Sequence, residues 1–198
     1  MIGEVPLRKA VEATGAEIIF RAYLLRTDGQ ARFDPQSEYF AEVWRTRVAP
    51  MAEQSGVEMK RPSHLPLTRL AHEAAAWARE QGRFEDFHRA LFRAQFIEER
   101  DLGELETLKG IARDLGMNAG DLGRALTERR MADEVDEDLL IGQSYGVRGV
   151  PAYVIGGQIL FGVQAASTLI EAIERASRME PAPKPGVLPS IPINITRK

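Results

Sequence analysis

Apolar positions along this chain change their period twice, and the changes divide it into three stretches. Near the start, Leu7, Ala10 and Val11 share one helical face behind Pro6, and Gly15 stands where a left-handed terminator is wanted. Residues 16–25 lose that period. Their run, Ala-Glu-Ile-Ile-Phe-Arg-Ala-Tyr-Leu-Leu, is almost continuously apolar, which predicts a strand covered on both faces. Asp28-Gly29 and Asp34-Pro35 then mark an irregular connection.

From about residue 38 to 130 the pattern is helical throughout. Phe40, Trp44, Val48 and Met51 form one stripe; Leu67, Leu70, Ala71, Ala74 and Ala78 form a second that ends near Gly82. A third helix carries Phe84, Phe87, Leu91 and Phe92, and a fourth Leu105, Leu108, Ile111, Ala112 and Leu115 before Gly116. Asn118, with Asp121 three residues on, predicts a capped start for a short fifth. No fixed period relates these stripes, so a solenoid is disfavoured. A further helix over roughly 131–145 turns Met131, Val135 and Leu139 inward.

The second change comes after Gly146. Two short strands, 152–155 and 158–161, flank Gly156-Gly157 and read as a tight antiparallel hairpin. A helix with Leu169, Ile170 and Ile173 closes the globule. Residues 180–198 hold five prolines and no apolar period, the pattern of a mobile tail.

At 198 residues the chain is long enough to bury a stable core. Its 26 Lys and Arg against 29 Asp and Glu give a net charge of −3, interspersed along helices with no basic block, which argues against nucleic acid as a partner. There is no apolar run of about 18 residues and no secretory signal, so a cytoplasmic location without membrane attachment is expected. The chain has no cysteine. Structural disulfides and thiolate metal sites are therefore excluded, and the three histidines, His64, His72 and His88, lack a metal-ligand spacing.

Three separated segments resemble a known family in the right order. Ala71-His72-Glu73-Ala74-Ala75, the run from Ala78 to Phe92, and Gly146-Val147-Arg148-Gly149-Val150-Pro151-Ala152-Tyr153 through Gly162 look like the DsbA-like thiol-disulfide oxidoreductases, in particular their FrnE-type branch. The resemblance covers nearly all of the chain from Met1 to about Arg178. It implies an α/β, thioredoxin-like fold with an inserted all-helical domain: residues 1–32 and 133–178 form the thioredoxin-like part, 38–130 the helical insertion, and 179–198 a flexible Pro-rich tail.

In that family an amino-terminal strand leads into a Cys-x-x-Cys pair at the start of the first helix, where the helix dipole and free amides make a thiol acidic. Met1-Ile2-Gly3 resembles the tripeptide that follows the second cysteine. The resemblance thus implies that the first strand and the dithiol are missing, through an internal start or a truncated gene, and that no catalytic residue remains here. A missing central strand would leave backbone groups of its neighbours without partners.

What remains is a substrate-binding half. In thioredoxin-like proteins the proline matching Val150-Pro151 is cis and faces the dithiol, and the residue before it pairs with an extended substrate. From the residues alone a trans proline at a strand entry is the alternative, since only about 5–6% of X-Pro bonds are cis. Arg148 reads either as a contact for a carboxylate or peptide carbonyl, or as a solvated loop residue. His88, between Phe84 and Leu91, reads as a packing or hydrogen-bonding residue, and Glu98-Glu99 and Asp133-Glu134 as solvated helix faces.

Three functions follow from the resemblance. The first is a thiol-disulfide oxidoreductase whose dithiol is absent from this sequence, acting on a peptide or protein disulfide or a small thiol. The second is a redox-inactive module binding peptides or ligands. The third is a glutathione-dependent isomerase or transferase of the kappa-class type, disfavoured by Gly162-Val163-Gln164 where those relatives carry a polar pair with Asp. No cofactor and no metal is implied. The sheet position left open invites a homodimer.

Overall fold

The computed structural model describes residues 1–26 and 34–179. The expected turn at Asp28-Gly29 and the segment 180–198 lie outside the described residues. Helix α1 spans Glu4–Thr14, beginning ahead of Pro6, which tolerates the first turn because no intrahelical acceptor awaits its missing N–H. Gly15 ends it at φ 71°, its N–H donating to the Val11 carbonyl at 2.8 Å.

The segment after Gly15 corrects the expectation of a doubly covered strand. It is extended, but none of its backbone groups pairs with another backbone among the described residues. Burial alternates: Ile18, Phe20 and Ala22 turn inward, while Glu17, Ile19 and Arg21 are exposed, Ile19 by 68%. Apolar content raised the expected burial, but a strand is covered only where neighbours flank it, and here only one face has them.

The helical block holds most of the core. Helix α2 (Glu38–Val43) starts at Ser37, whose hydroxyl accepts from the Phe40 N–H, and passes through a π turn at Trp44–Val48 into α3 (Ala49–Gln54). Pro50 has no N–H for the carbonyl four residues back, and the widened turn accommodates that loss. Phe40, Trp44 and Val48 are only half-buried and Met51 is exposed. Helices α4 (Arg69–Glu80), α5 (Phe84–Phe96), α6 (Leu105–Asp114) and α7 (Ala119–Thr127) enclose a core of Trp77, Phe87, Leu108, Ile111 and Leu122. Leu67 lies outside α4 and is exposed.

Alanines make α4 the axis of this block. Ala71, Ala74, Ala75, Ala76 and Ala78 are all buried, and their small side chains let α5, α6 and α7 approach on different sides. Glu73 is fully buried on the same helix, its oxygens taking Arg69 at 3.0 Å and Arg129 at 2.9 Å. The Asn118 side chain accepts from the Asp121 N–H at 2.9 Å and opens α7 as its spacing predicts.

Helix α8 (Ala132–Ser144) also packs on α4 and runs to Gly146. Its inward positions are Met131, Val135 and Asp138; Leu139 is only half-buried and Leu140 is 65% exposed. Next to the half-buried Leu139 lies a buried carboxylate that the apolar pattern did not predict: Asp138 Oδ1 accepts from Arg21 Nη1, and Oδ2 from the Ala22 N–H, each at 2.7 Å. A buried charge is tolerated when its lone pairs are met in this way.

Strands β1 (Ala152–Ile155) and β2 (Gln158–Phe161) form an antiparallel hairpin, Ile155 opposite Gln158, turning at Gly156 and Gly157 with φ 57° and 80°. Helix α9 (Ala166–Ser177) packs on α1 and β1, burying Leu169 with Ala10 and Tyr153 in a second, smaller core. Aromatic rings tie the segment after Gly15 to α5: Phe20 sits 5.5 Å from Phe84 and 4.8 Å from His88, centroid to centroid. No helix among the described residues is long and apolar enough to cross a membrane.

Candidate substrate-binding site

The loop from Gly146 to Pro151 ends against the amino end of α1. The Val150–Pro151 peptide is cis, and the Pro151 carbonyl accepts from the Gly162 N–H at 2.8 Å, which ties the loop to the far end of the hairpin. On its other side the Tyr23 hydroxyl donates to the Val147 carbonyl at 3.3 Å. Tyr153, the second residue of β1, turns its hydroxyl to the Gly3 carbonyl at 2.9 Å. Burial, followed by the charge of Glu4, pushes that phenol above its usual range, so it stays a donor at neutral pH.

Gly3 is where backbone and loop meet most closely. A Cβ there would lie 2.7 Å from the Tyr153 hydroxyl oxygen and 2.9 Å from Pro151 Cγ, so only glycine fits without displacement. The residues matched in the sequence separate at this point. Val150 is 53% exposed, and its backbone N–H and C=O have no hydrogen bond among the described residues. Arg148 is exposed in the same loop and makes no ion pair among them.

A polar wall that the sequence did not reveal stands beside α1. His88 Nε2 donates to Glu4 Oε1 at 2.8 Å, Arg8 reaches Glu4 Oε2 at 3.2 Å, and Arg8 also pairs with Glu85 at 2.6 Å. Burial works against the Glu4 charge, but His88 and Arg8 outweigh it and hold the carboxyl down at about 2. His88 both packs and hydrogen-bonds: it stacks on Phe84 and meets Phe92 edge-on at 4.8 Å. Its neighbours at four-residue spacing were readable in the sequence, whereas Glu4 gave only the signal of an acid in a first helical turn.

Deeper in, burial lowers the pKa of His72, which faces Tyr23 and Asp138. Among the described residues no group of three His, Asp or Glu side chains is placed to hold a metal ion. Without a thiol the chain offers no sulfur nucleophile. The arrangement presents an exposed, unpaired backbone at Val150 beside a helix start, which suits an extended peptide.

YwbO, an uncharacterised protein of Bacillus subtilis, is 26% identical over 176 residues, covering 87% of this chain and 88% of its own. The crystal structure of a probable DsbA oxidoreductase from Streptomyces coelicolor, SCO1869, superposes with a TM-score of 0.77 at 24% identity, over 92% of this chain and 86% of that one. A 2-hydroxychromene-2-carboxylate isomerase superposes at 0.72 with 17% identity over 89% of each chain, a likeness of fold. With a family model matching residues 1–174, the chain belongs to the DSBA-like thioredoxin domain family.

Proposed function

We propose that this chain forms the substrate-holding part of a thiol-disulfide oxidoreductase of the FrnE-type branch, with Val150 and Pro151 aligning an extended peptide and Arg148 meeting a carboxylate or carbonyl of that peptide. The observation that carries the reading is the contact of Pro151 with Gly3, which sets an unpaired Val150 backbone beside the start of α1. Disulfide exchange requires a thiolate to attack one sulfur, form a mixed disulfide and release the other sulfur to take a proton. These 198 residues hold no thiol, so that step needs a dithiol from outside them. Gln164, whose amide donates to the Phe161 carbonyl at 2.6 Å, is turned back onto its own loop, which gives no support to glutathione binding.

The test is binding of a fluorescently labelled, extended peptide carrying a blocked cysteine. Pro151→Ala should weaken it by at least about tenfold, equivalent to 1.4 kcal/mol, with the melting temperature retained. Equal affinity in the variant, or turnover of insulin disulfides by the 198 residues alone, would overturn the reading.

A further inference from the structure

We propose that the outer edge of β2 is a docking site for residues 191–195 of this chain, which pair with it as a third strand and lie in the segment outside the described residues. The two-residue turn makes Ile155 and Gln158 a bonded pair, and bonding alternates from there. Tyr153 and Leu160 therefore bond to each other, whereas Ile159 and Phe161 point their N–H and C=O groups away from β1. No strand among the described residues lies on that side. The Phe161 carbonyl takes its donor from a side chain instead, Gln164 Nε2 at 2.6 Å, and the Ile159 backbone has no partner there among the described residues.

The same two residues carry the apolar side of this edge. Tyr153, Ile155 and Leu160 turn into the smaller core, so Ile159 and Phe161 stand on the opposite face of the hairpin. Phe161 is 49% exposed. Among the described residues the helix that packs on the hairpin is α9, and it lies on the face of Tyr153.

The chain supplies an occupant. Helix α9 ends beside the hairpin turn, where a Cβ on Gly156 would lie 2.6 Å from Ala176 Cβ, and residues 180–198 follow. That segment as a whole has no apolar period, but its end does: Ile191, Ile193 and Ile195 alternate with Pro192, Asn194 and Thr196. In an antiparallel pair, opposed residues share a face, so whatever bonds to Ile159 and Phe161 sets its side chains beside theirs. With Ile191 opposite Phe161 and Ile193 opposite Ile159, the isoleucines bond to β2 and extend its apolar face. Pro192, which has no N–H, then points to solvent, where an edge strand tolerates it. A parallel strand with the isoleucines on this face would turn Pro192 toward β2 and lose that bond.

An antiparallel strand requires the chain to travel from the turn back to Phe161 before it pairs. Strand β2 is about 13 Å long at 3.3 Å per residue. Residues 180–190 contain four prolines and extend over about 34 Å at 3.1 Å per residue. The tether holds the isoleucines at an effective concentration of about millimolar, which favours them over β2 of a second copy.

The test is amide exchange of the full 198-residue chain, resolved by NMR. Ile193→Pro removes the N–H that meets the Ile159 carbonyl, and the Ile159 and Phe161 amides should then exchange at least about tenfold faster, equivalent to 1.4 kcal/mol. Asn194→Pro should leave the protection intact, because its N–H points to solvent and a proline there holds Ile193 extended. Exchange at Ile159 that is equally fast in the unaltered chain and in Ile193→Pro would overturn the proposal, as would equal losses in the two variants. Protection that rises with protein concentration would assign the edge to a second copy and overturn it too.

Discussion

Replacing Asp138 with alanine should loosen the extended segment before it unfolds the helical block. Its carboxylate holds that segment by two contacts of different character, and their separate magnitudes can be worked out. The bond to Arg21 is an ion pair whose guanidinium side chain is 47% exposed, so solvent limits it to about 0.5–1 kcal/mol. The bond to the Ala22 N–H is made by a buried carboxylate at 2.7 Å and contributes roughly 1.5–2 kcal/mol. Asp138→Ala should therefore cost about 2–3 kcal/mol, Asp138→Asn about half of that because one oxygen still accepts from Ala22, and Arg21→Ala least. Urea unfolding followed by tryptophan fluorescence gives the three values, since Trp77 is buried in the helical core. Amide exchange at Ala22 gives the local effect and should accelerate in Asp138→Ala. Equal losses for Arg21→Ala and Asp138→Ala, or unchanged exchange at Ala22, would refute the assignment of the anchor to the backbone bond.

Two further outcomes are expected. Glu4 has a folded pKa of about 2 against 4.5 unfolded, so its charge stabilises the fold above the unfolded value and this stabilisation disappears as pH falls toward 2. The shift corresponds to about 3 kcal/mol, reduced by solvent screening to roughly 1–2; Glu4→Gln should show that deficit in urea midpoints near neutral pH and lose it in acid, and a deficit independent of pH would contradict the pairing with His88 and Arg8. Gly3→Ala should cost about 1–3 kcal/mol in thermal melts and weaken peptide binding, because the added methyl meets Tyr153 and Pro151; an unaltered melt would show that the contact is looser than described.

Much of the fold was written in local patterns. Helix faces at a spacing of three and four, Gly15 as a terminator, Asn118 as a cap and the Gly156-Gly157 turn all depend on neighbours close in sequence; the terminator, the cap and the turn form where their patterns predict, whereas the stripes that include Met51 and Leu67 leave those two residues exposed. The candidate loop was legible for the same reason: Arg148, Val150 and Pro151 lie within four residues of one another. The rest of the site was not. Gly3, Glu4 and His88 meet the loop or one another across large sequence separations, and a first-turn acid or a helical histidine has the same local appearance wherever the chain later carries it.

The sequence by itself determined the helices, the hairpin, the family resemblance and the absence of any sulfur nucleophile, since periodicity, turn residues and composition are local properties. Tertiary structure decided which apolar segments acquire neighbours. Residues 16–25 carry the composition of a buried strand, yet a strand exists only when another backbone lies alongside, and among the described residues none does. It also decided that Asp138 is buried, because a buried carboxylate is stable only where a distant amide and guanidinium arrive to meet it.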